Sequence, residues 1–216
     1  MTKKTRKALM MVLCAVALVA ISVGATVAYL TSTDTVTNTF TVGNVQIKLD
    51  EAKANPDGTR VEGADRVKTN SYKLLPGLTY NKDPMVTVLK GSEECYVKMT
   101  VTFTKANELD AIFVPNGANM TDIFNGYDSN NWIYKGNTKD TNANTRTYEF
   151  WYKETVDAST ATQDVELDAL FDSITVPGFI TNAQLATIDG MEITVNAYAI
   201  QADGFDTADV AWTNYK

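Results

Sequence analysis

The sequence predicts a mainly β protein, an antiparallel β-sandwich or jelly roll with short helical insertions, preceded by an N-terminal signal helix. Three observations carry this. Residues 95–105 alternate strictly, with Cys95, Val97, Met99, Val101 and Phe103 on one side, the period-2 pattern of a strand with one buried face. A second such run, 190–201, puts Met191, Ile193, Val195, Ala197 and Ala199 on one face. Between these runs, turn signals recur at short spacing and apolar segments long enough for large helices are few, a layout that favours two packed antiparallel sheets.

Taken in order, the first thirty residues form an export signal. Lys3, Lys4, Arg6 and Lys7 precede an uncharged stretch over 8–30, which gives way abruptly to threonine-rich text. A basic n-region, an apolar h-region and small residues before a polar switch define a secretory signal. Cleavage is expected between Ala28 and Tyr29, which makes 1–28 the signal peptide. The apolar run is also long enough to cross a bilayer, for which about 20 residues suffice, so an uncleaved anchor is the alternative. Either way the basic cluster stays on the cytoplasmic side and the rest is delivered outside. Cys14 lies near the start of the apolar run, the wrong end for a lipidated cysteine.

Residues 29–43 read as an extended N-terminal segment. Val36, Phe40 and Val42 share one parity, whereas Val45, Ile47 and Leu49 share the other. A one-residue slip turns side chains to the opposite face, so Gly43-Asn44 is expected to be a bend or bulge. Residues 44–216 then read as one jelly-roll-like domain. The stretch 51–71 is polar and turn-rich, and 74–78 is a tight turn. The runs 85–90 and 95–104, joined by Gly91-Ser-Glu-Glu94, are expected to pair as antiparallel neighbours. Helical spacing marks 107–113 and, more briefly, 120–125, 165–171, 181–187 and 206–212. Aromatic strands are expected at 130–135 and 146–153, with 136–144 as a polar loop, and a short strand at 174–176.

Composition narrows the chemistry. Once 1–28 is removed, 15 basic residues face 26 acidic ones, a net charge of −11. Such a surface argues against nucleic acid and anionic membranes as ligands, so membrane contact is expected only through the uncleaved signal. The chain has no histidine, which removes the commonest general base and transition-metal ligand. No zinc-peptidase, serine-triad or phosphate-loop motif is present. No enzyme activity, catalytic residue, metal or cofactor is expected. Cys95 is the one cysteine after residue 28, so an internal disulfide is excluded and a buried, inert thiol is expected.

Three stretches carry a resemblance: Gly24-Ala-Thr-Val-Ala-Tyr-Leu-Thr-Ser-Thr-Asp and its continuation to Ile47; Leu74-Leu-Pro-Gly-Leu-Thr-Tyr-Asn-Lys-Asp83, followed by the strand pair through Cys95 to Phe103; and Ile193-Thr-Val-Asn-Ala-Tyr-Ala-Ile-Gln-Ala-Asp-Gly-Phe205. In these the chain resembles the TasA/camelysin family of exported Gram-positive proteins, which includes biofilm matrix fibre subunits. Residues 105–180 carry no part of the likeness. The resemblance implies a jelly-roll fold, export through a specialised signal peptidase of the SipW type, and self-association or association with related matrix subunits. In fibre-forming members the mature N-terminus is a donor strand completing the sheet of the next subunit. Val36, Phe40 and Val42 would then enter the acceptor's pockets; the alternative is an ordinary first strand of the chain's own sheet. Some members carry a metallopeptidase label, which a chain without histidine does not inherit. A second functional class is a secreted carbohydrate- or surface-binding module, with Trp132, Tyr134, Tyr148, Phe150, Trp151 and Tyr152 as its ring platform. The sequence thus leads to an exported structural subunit of an extracellular matrix or cell surface.

Overall fold

The computed structural model describes residues 3–7, 10–11 and 43–215. The chain divides into two units, 1–42 and 43–216. In the first, residues 3–7 and 10–11 are helical. The expected cleavage site at Ala28 and Tyr29, and the segment bearing Val36, Phe40 and Val42, lie outside the described residues.

The second unit is mainly β, and every strand pair in it is antiparallel. Its strands are β1 (Ile47–Asp50), β2 (Thr79–Asn81), β3 (Met85–Val88), β4 (Cys95–Thr104), β5 (Phe124–Asn125), β6 (Trp132–Asp140), β7 (Thr145–Tyr152), β8 (Val165–Glu166), β9 (Ser173–Thr175) and β10 (Ile193–Gln201). One layer is a four-stranded sheet in the order β10-β4-β7-β6. The other consists of two short sheets, β1-β3-β8 and β2-β9-β5. Leu167 N–H donates to Val86 O, Leu170 N–H to Pro84 O and Lys82 N–H to Asp172 O. These bonds carry the β3–β8 pairing into β2–β9, so the two short sheets are halves of one bent layer.

The layers enclose a single core. The inner face of β4, Cys95 to Phe103 at alternate positions, is 0% exposed. It meets Tyr80, Val86, Val88, Leu170, Phe171 and Ile174 from the opposite layer. Phe103, Phe124 and Tyr148 meet as mutually tilted rings, and Phe171 stacks on Phe124 at 4.5 Å. Each such side chain contributes about 1.5–3 kcal/mol on full burial, and rings in these geometries add to it. The expected strand at 95–104 is therefore present with its expected face inward, and the Cys95 thiol is pushed up to about 11 by burial and by the nearby Glu94 and Asp157.

Three α-helices decorate the sandwich, α1 (Ala106–Phe113), α2 (Asn182–Thr187) and α3 (Ala208–Asn214), with short 3-10 turns at Val114–Asn116 and Met120–Ile123. All three stand where the sequence places helices. Leu109, Ile112 and Phe113 of α1 are buried in the core. Its own preceding residue makes no side-chain cap. Instead Asn144, at φ 52°, accepts from Asn107 N–H through Oδ1 at 2.8 Å and from Ala106 N–H through its carbonyl. Asp110 receives Arg146 at 2.7 Å and Lys139 at 2.8 Å, tying α1 to β7 and β6. Thr181 and Gln184 close a capping box on α2, the reciprocal pairing that a Ser/Thr-x-x-Glu/Gln spacing allows. Thr207 caps α3.

Three expectations are corrected. The runs 85–90 and 95–104 do not pair: β3 lies between β1 and β8, and β4 between β10 and β7. Gly91, at φ 82°, turns the chain from one layer to the other. Leu89 and Glu93 N–H donate to Gln46 and Asn44 carbonyls, so the first strand takes the place a hairpin partner would have had. Residues 165–171 are not helical but form β8 and an irregular continuation. Leu167, Leu170 and Phe171 are all buried there, because the backbone stays paired to Val86 and Pro84 and bends between them. Finally, β6 runs to Asp140, so the expected loop at 136–144 shrinks to a tight turn.

Candidate strand-acceptor groove

β10 is an edge strand, and its backbone parity shows what the edge offers. Thr104 N–H donates to Glu192 O, and Ala202 N–H donates to Glu94 O. With Ile193 opposite Phe103 and Gln201 opposite Cys95, the even-numbered residues of β10 direct their N–H and C=O groups to β4. The odd-numbered ones, Ile193, Val195, Ala197 and Ala199, therefore direct theirs outward. Among the described residues no strand pairs with that side.

β1 is the facing edge of the other layer. Leu89 N–H donates to Gln46 O, so the even-numbered residues of β1 bond toward β3. Ile47 and Leu49 direct their backbone groups away. Further along, Glu51 points the same way and exchanges two bonds with Val67 in an isolated antiparallel bridge.

Between the two edges lies an open groove of about 890 Å³. Ile47, Leu49, Leu74, Ile174, Ile193 and Val195 line its apolar part. All but Ile174 are only half-buried, although they pack on the core. The groove thus combines unfilled apolar side chains with two rows of outward backbone groups, the two elements by which an added strand is recognised.

Asp50, Glu51, Asn70 and Lys82 line its polar end, and Arg66 braces Asp50 beside it. Nε donates to Asp50 Oδ1 at 2.5 Å and Nη1 to Asp83 Oδ2 at 3.0 Å. Nη2 donates to the carbonyls of Asp50 and Asp83. This fork ties the 51–72 loop to β1 and to the link between β2 and β3. Asp83 also accepts from Ala52 N–H at 2.6 Å. Burial opposes ionisation of Asp50, but hydrogen bonds from Lys48 and Arg66 outweigh it and hold the carboxyl below its ordinary value. Tyr72 donates to Asn81 O at 2.6 Å, and burial followed by the Glu51 charge pushes its phenol upward.

The ring platform is not formed. Trp132, Tyr148 and Phe150 are at most 3% exposed. Tyr134, 40% exposed, leans on Tyr148 and Phe150 rather than standing free. Trp151 faces the outer side, where Lys135 Nζ sits 3.9 Å above it. Beside it Lys98 Nζ lies 4.6 Å from the Trp212 ring and 5.5 Å from those of Tyr198 and Tyr215. These cation–π contacts fasten α3 against the outer face of the sheet. Among the described residues, no group of three or more His, Cys, Asp or Glu side chains is placed to hold a metal ion. The groove residues were visible in the sequence only as core positions, because what makes them a groove is the separation of two edges some 150 residues apart in the chain. No family model, no curated protein and no solved structure matches the chain.

Proposed function

We propose that the protein is an exported structural subunit of an extracellular fibre or surface matrix, and that its groove takes an extended segment from a neighbouring copy. The observation that supports this best is the pair of edges, β1 and β10, which take no strand partner on their outward sides among the described residues and flank a groove of half-buried apolar side chains. The donor in this reading is 29–42, whose Val36, Phe40 and Val42 enter the apolar part of the groove. Residues 1–28 are the signal peptide, cut after Ala28 by a signal peptidase of the SipW type, which leaves Tyr29 as the new N-terminus. The sandwich is an incomplete jelly roll with one strand position open. The reading assigns no enzymatic role.

Removal of 29–42 tests it. The truncated protein is expected to stay folded, because the core comes from β3, β4, β7 and β9, and to form no fibres by electron microscopy. A synthetic 29–42 peptide should bind it and raise its melting temperature, and the same peptide with Phe40→Asp should not, since a carboxylate entering an apolar site is strongly disfavoured. Normal fibres from the truncated protein would rule the donor role out. Loss of the fold together with assembly would make 29–42 an internal strand.

A further inference from the structure

Glu51, Asn70 and Lys82 meet on the groove wall in an arrangement that ordinary ion pairing does not require. Glu51 Oε2 accepts from Lys82 Nζ at 2.7 Å, and its other oxygen accepts from Asn70 Nδ2 at 3.0 Å. The Lys82 and Glu51 side chains are 7% and 8% exposed. Asn70 Nδ2 also donates to Ala52 O at 2.8 Å, and its Oδ1 accepts from Ala54 N–H at 2.9 Å. One buried carboxylate therefore bridges a primary amine and a primary amide, while a backbone N–H already polarises the amide carbonyl.

We propose that this triad forms an intramolecular isopeptide bond between Lys82 Nζ and Asn70 Cγ, with Glu51 relaying the protons. Glu51 removes a proton from the Lys82 ammonium, and the nitrogen lone pair attacks Cγ. Negative charge develops on Oδ1, where the Ala54 N–H stands as its donor. Glu51 passes the proton to Nδ2, and the Cγ–Nδ2 bond breaks. Nζ gives up a second proton by the same route, so the departing nitrogen carries four hydrogens and leaves as ammonium. The product is a secondary amide, and no oxidant, reductant or cofactor enters the balance. Holding the three groups on one carboxylate makes the reaction intramolecular, which removes most of the entropic barrier to amide exchange.

The link would join the Arg66-bearing loop covalently to the segment between β2 and β3. A chain with Cys95 as its one cysteine after residue 28 has no disulfide to serve this purpose, and an amide cross-link is indifferent to redox conditions. This inference does not rest on the strand-acceptor reading: the triad lies wholly within 43–216 and needs no second copy.

Tryptic mapping of the purified full-length protein by mass spectrometry decides it. The expected product is a branched peptide, 69–73 joined to 74–90, uncut at Lys82 and lighter by one ammonia than its two parts. Lys82→Arg and Glu51→Gln should each abolish it. Separate unmodified peptides from protein aged in solution would overturn the proposal, as would recovery of Asn70 as a simple aspartate. A link that persists in Glu51→Gln would remove Glu51 from the reaction.

Discussion

Ile193 and Phe103 stand directly opposite one another on β10 and β4, with side chains on the same face of the sheet, yet Phe103 is sealed in the core and Ile193 is half-open to solvent. The difference is that, among the described residues, no strand lies on the far side of β10. Substitutions at these two kinds of position should therefore behave differently. Ile193→Lys is expected to leave thermal unfolding little changed, since the amine can reach water along the open groove, while abolishing binding of the 29–42 peptide. Met99→Ala, one strand inward, should cost about 2–5 kcal/mol from lost burial and the cavity left behind, measurable by denaturant titration. Equal destabilisation by both would mean that the groove is not open.

Asn144 has two roles at once, as a left-handed turn residue and as the remote cap of α1. Asn144→Ala loses the cap, about 0.5–2 kcal/mol, and places a Cβ-bearing residue without a local hydrogen bond in the left-handed region, about 1–2 kcal/mol more. Asn144→Gly removes the side-chain bonds to Asn107 N–H and Glu108 without the backbone cost and should be the milder change. Thermal melts of the pair separate the two contributions.

Arg66→Lys tests the fork. A single ammonium cannot reproduce donors aimed at Asp50, Asp83 and their two carbonyls, and hydrogen bonds to charged groups contribute about 1.5–3 kcal/mol each. The expected outcome is a loss of that order in global stability, with the 51–72 loop gaining the most in hydrogen-exchange rate.

Asp50 sets an acid limit. Its folded carboxyl is held below the ordinary value, so the folded state favours its ionised form more than the unfolded chain does. Its contribution is fully present above the unfolded value, about 3.9, and disappears as pH falls through the lower folded value. Unfolding free energy should therefore decline below about pH 4, and the decline should be shallower in Asp50→Asn. Identical acid limbs in the two proteins would show that Asp50 is not a source of the effect.

Local pattern was legible wherever a strand had one wet and one dry face. The alternation of β4 and β10 named the inward residues correctly, and the helical spacing at 181–187 named a real helix. Partnership was not legible. Val86 and Val88 read as a strand in either layer, and the Gly91 turn fits a hairpin as well as a crossing between sheets. Leu167, Leu170 and Phe171 have helical spacing, but an irregular strand with a bend buries the same three positions. The polar end of the groove was the least visible of all. Glu51, Arg66 and Asn70 fall in a stretch whose composition is that of a surface loop, and only the pairing of Glu51 with Val67 brings them inward. The positions assigned to assembly and cleavage, Val36, Phe40, Val42, Ala28 and Tyr29, are outside the described residues and rest on pattern and resemblance.

The two margins of the four-stranded sheet follow opposite rules. β6 is interrupted by a bulge between Tyr134 and Gly136 and carries Lys135 and Lys139, devices that discourage another strand from joining. β10 runs nine residues without a charge, a proline or a register shift. The sheet can therefore be extended on one flank only. Where the strand that joins β10 is a neighbour's 29–42 segment, as proposed above, donor and acceptor are different patches, so the contact is head-to-tail and its repetition gives a line with distinct ends.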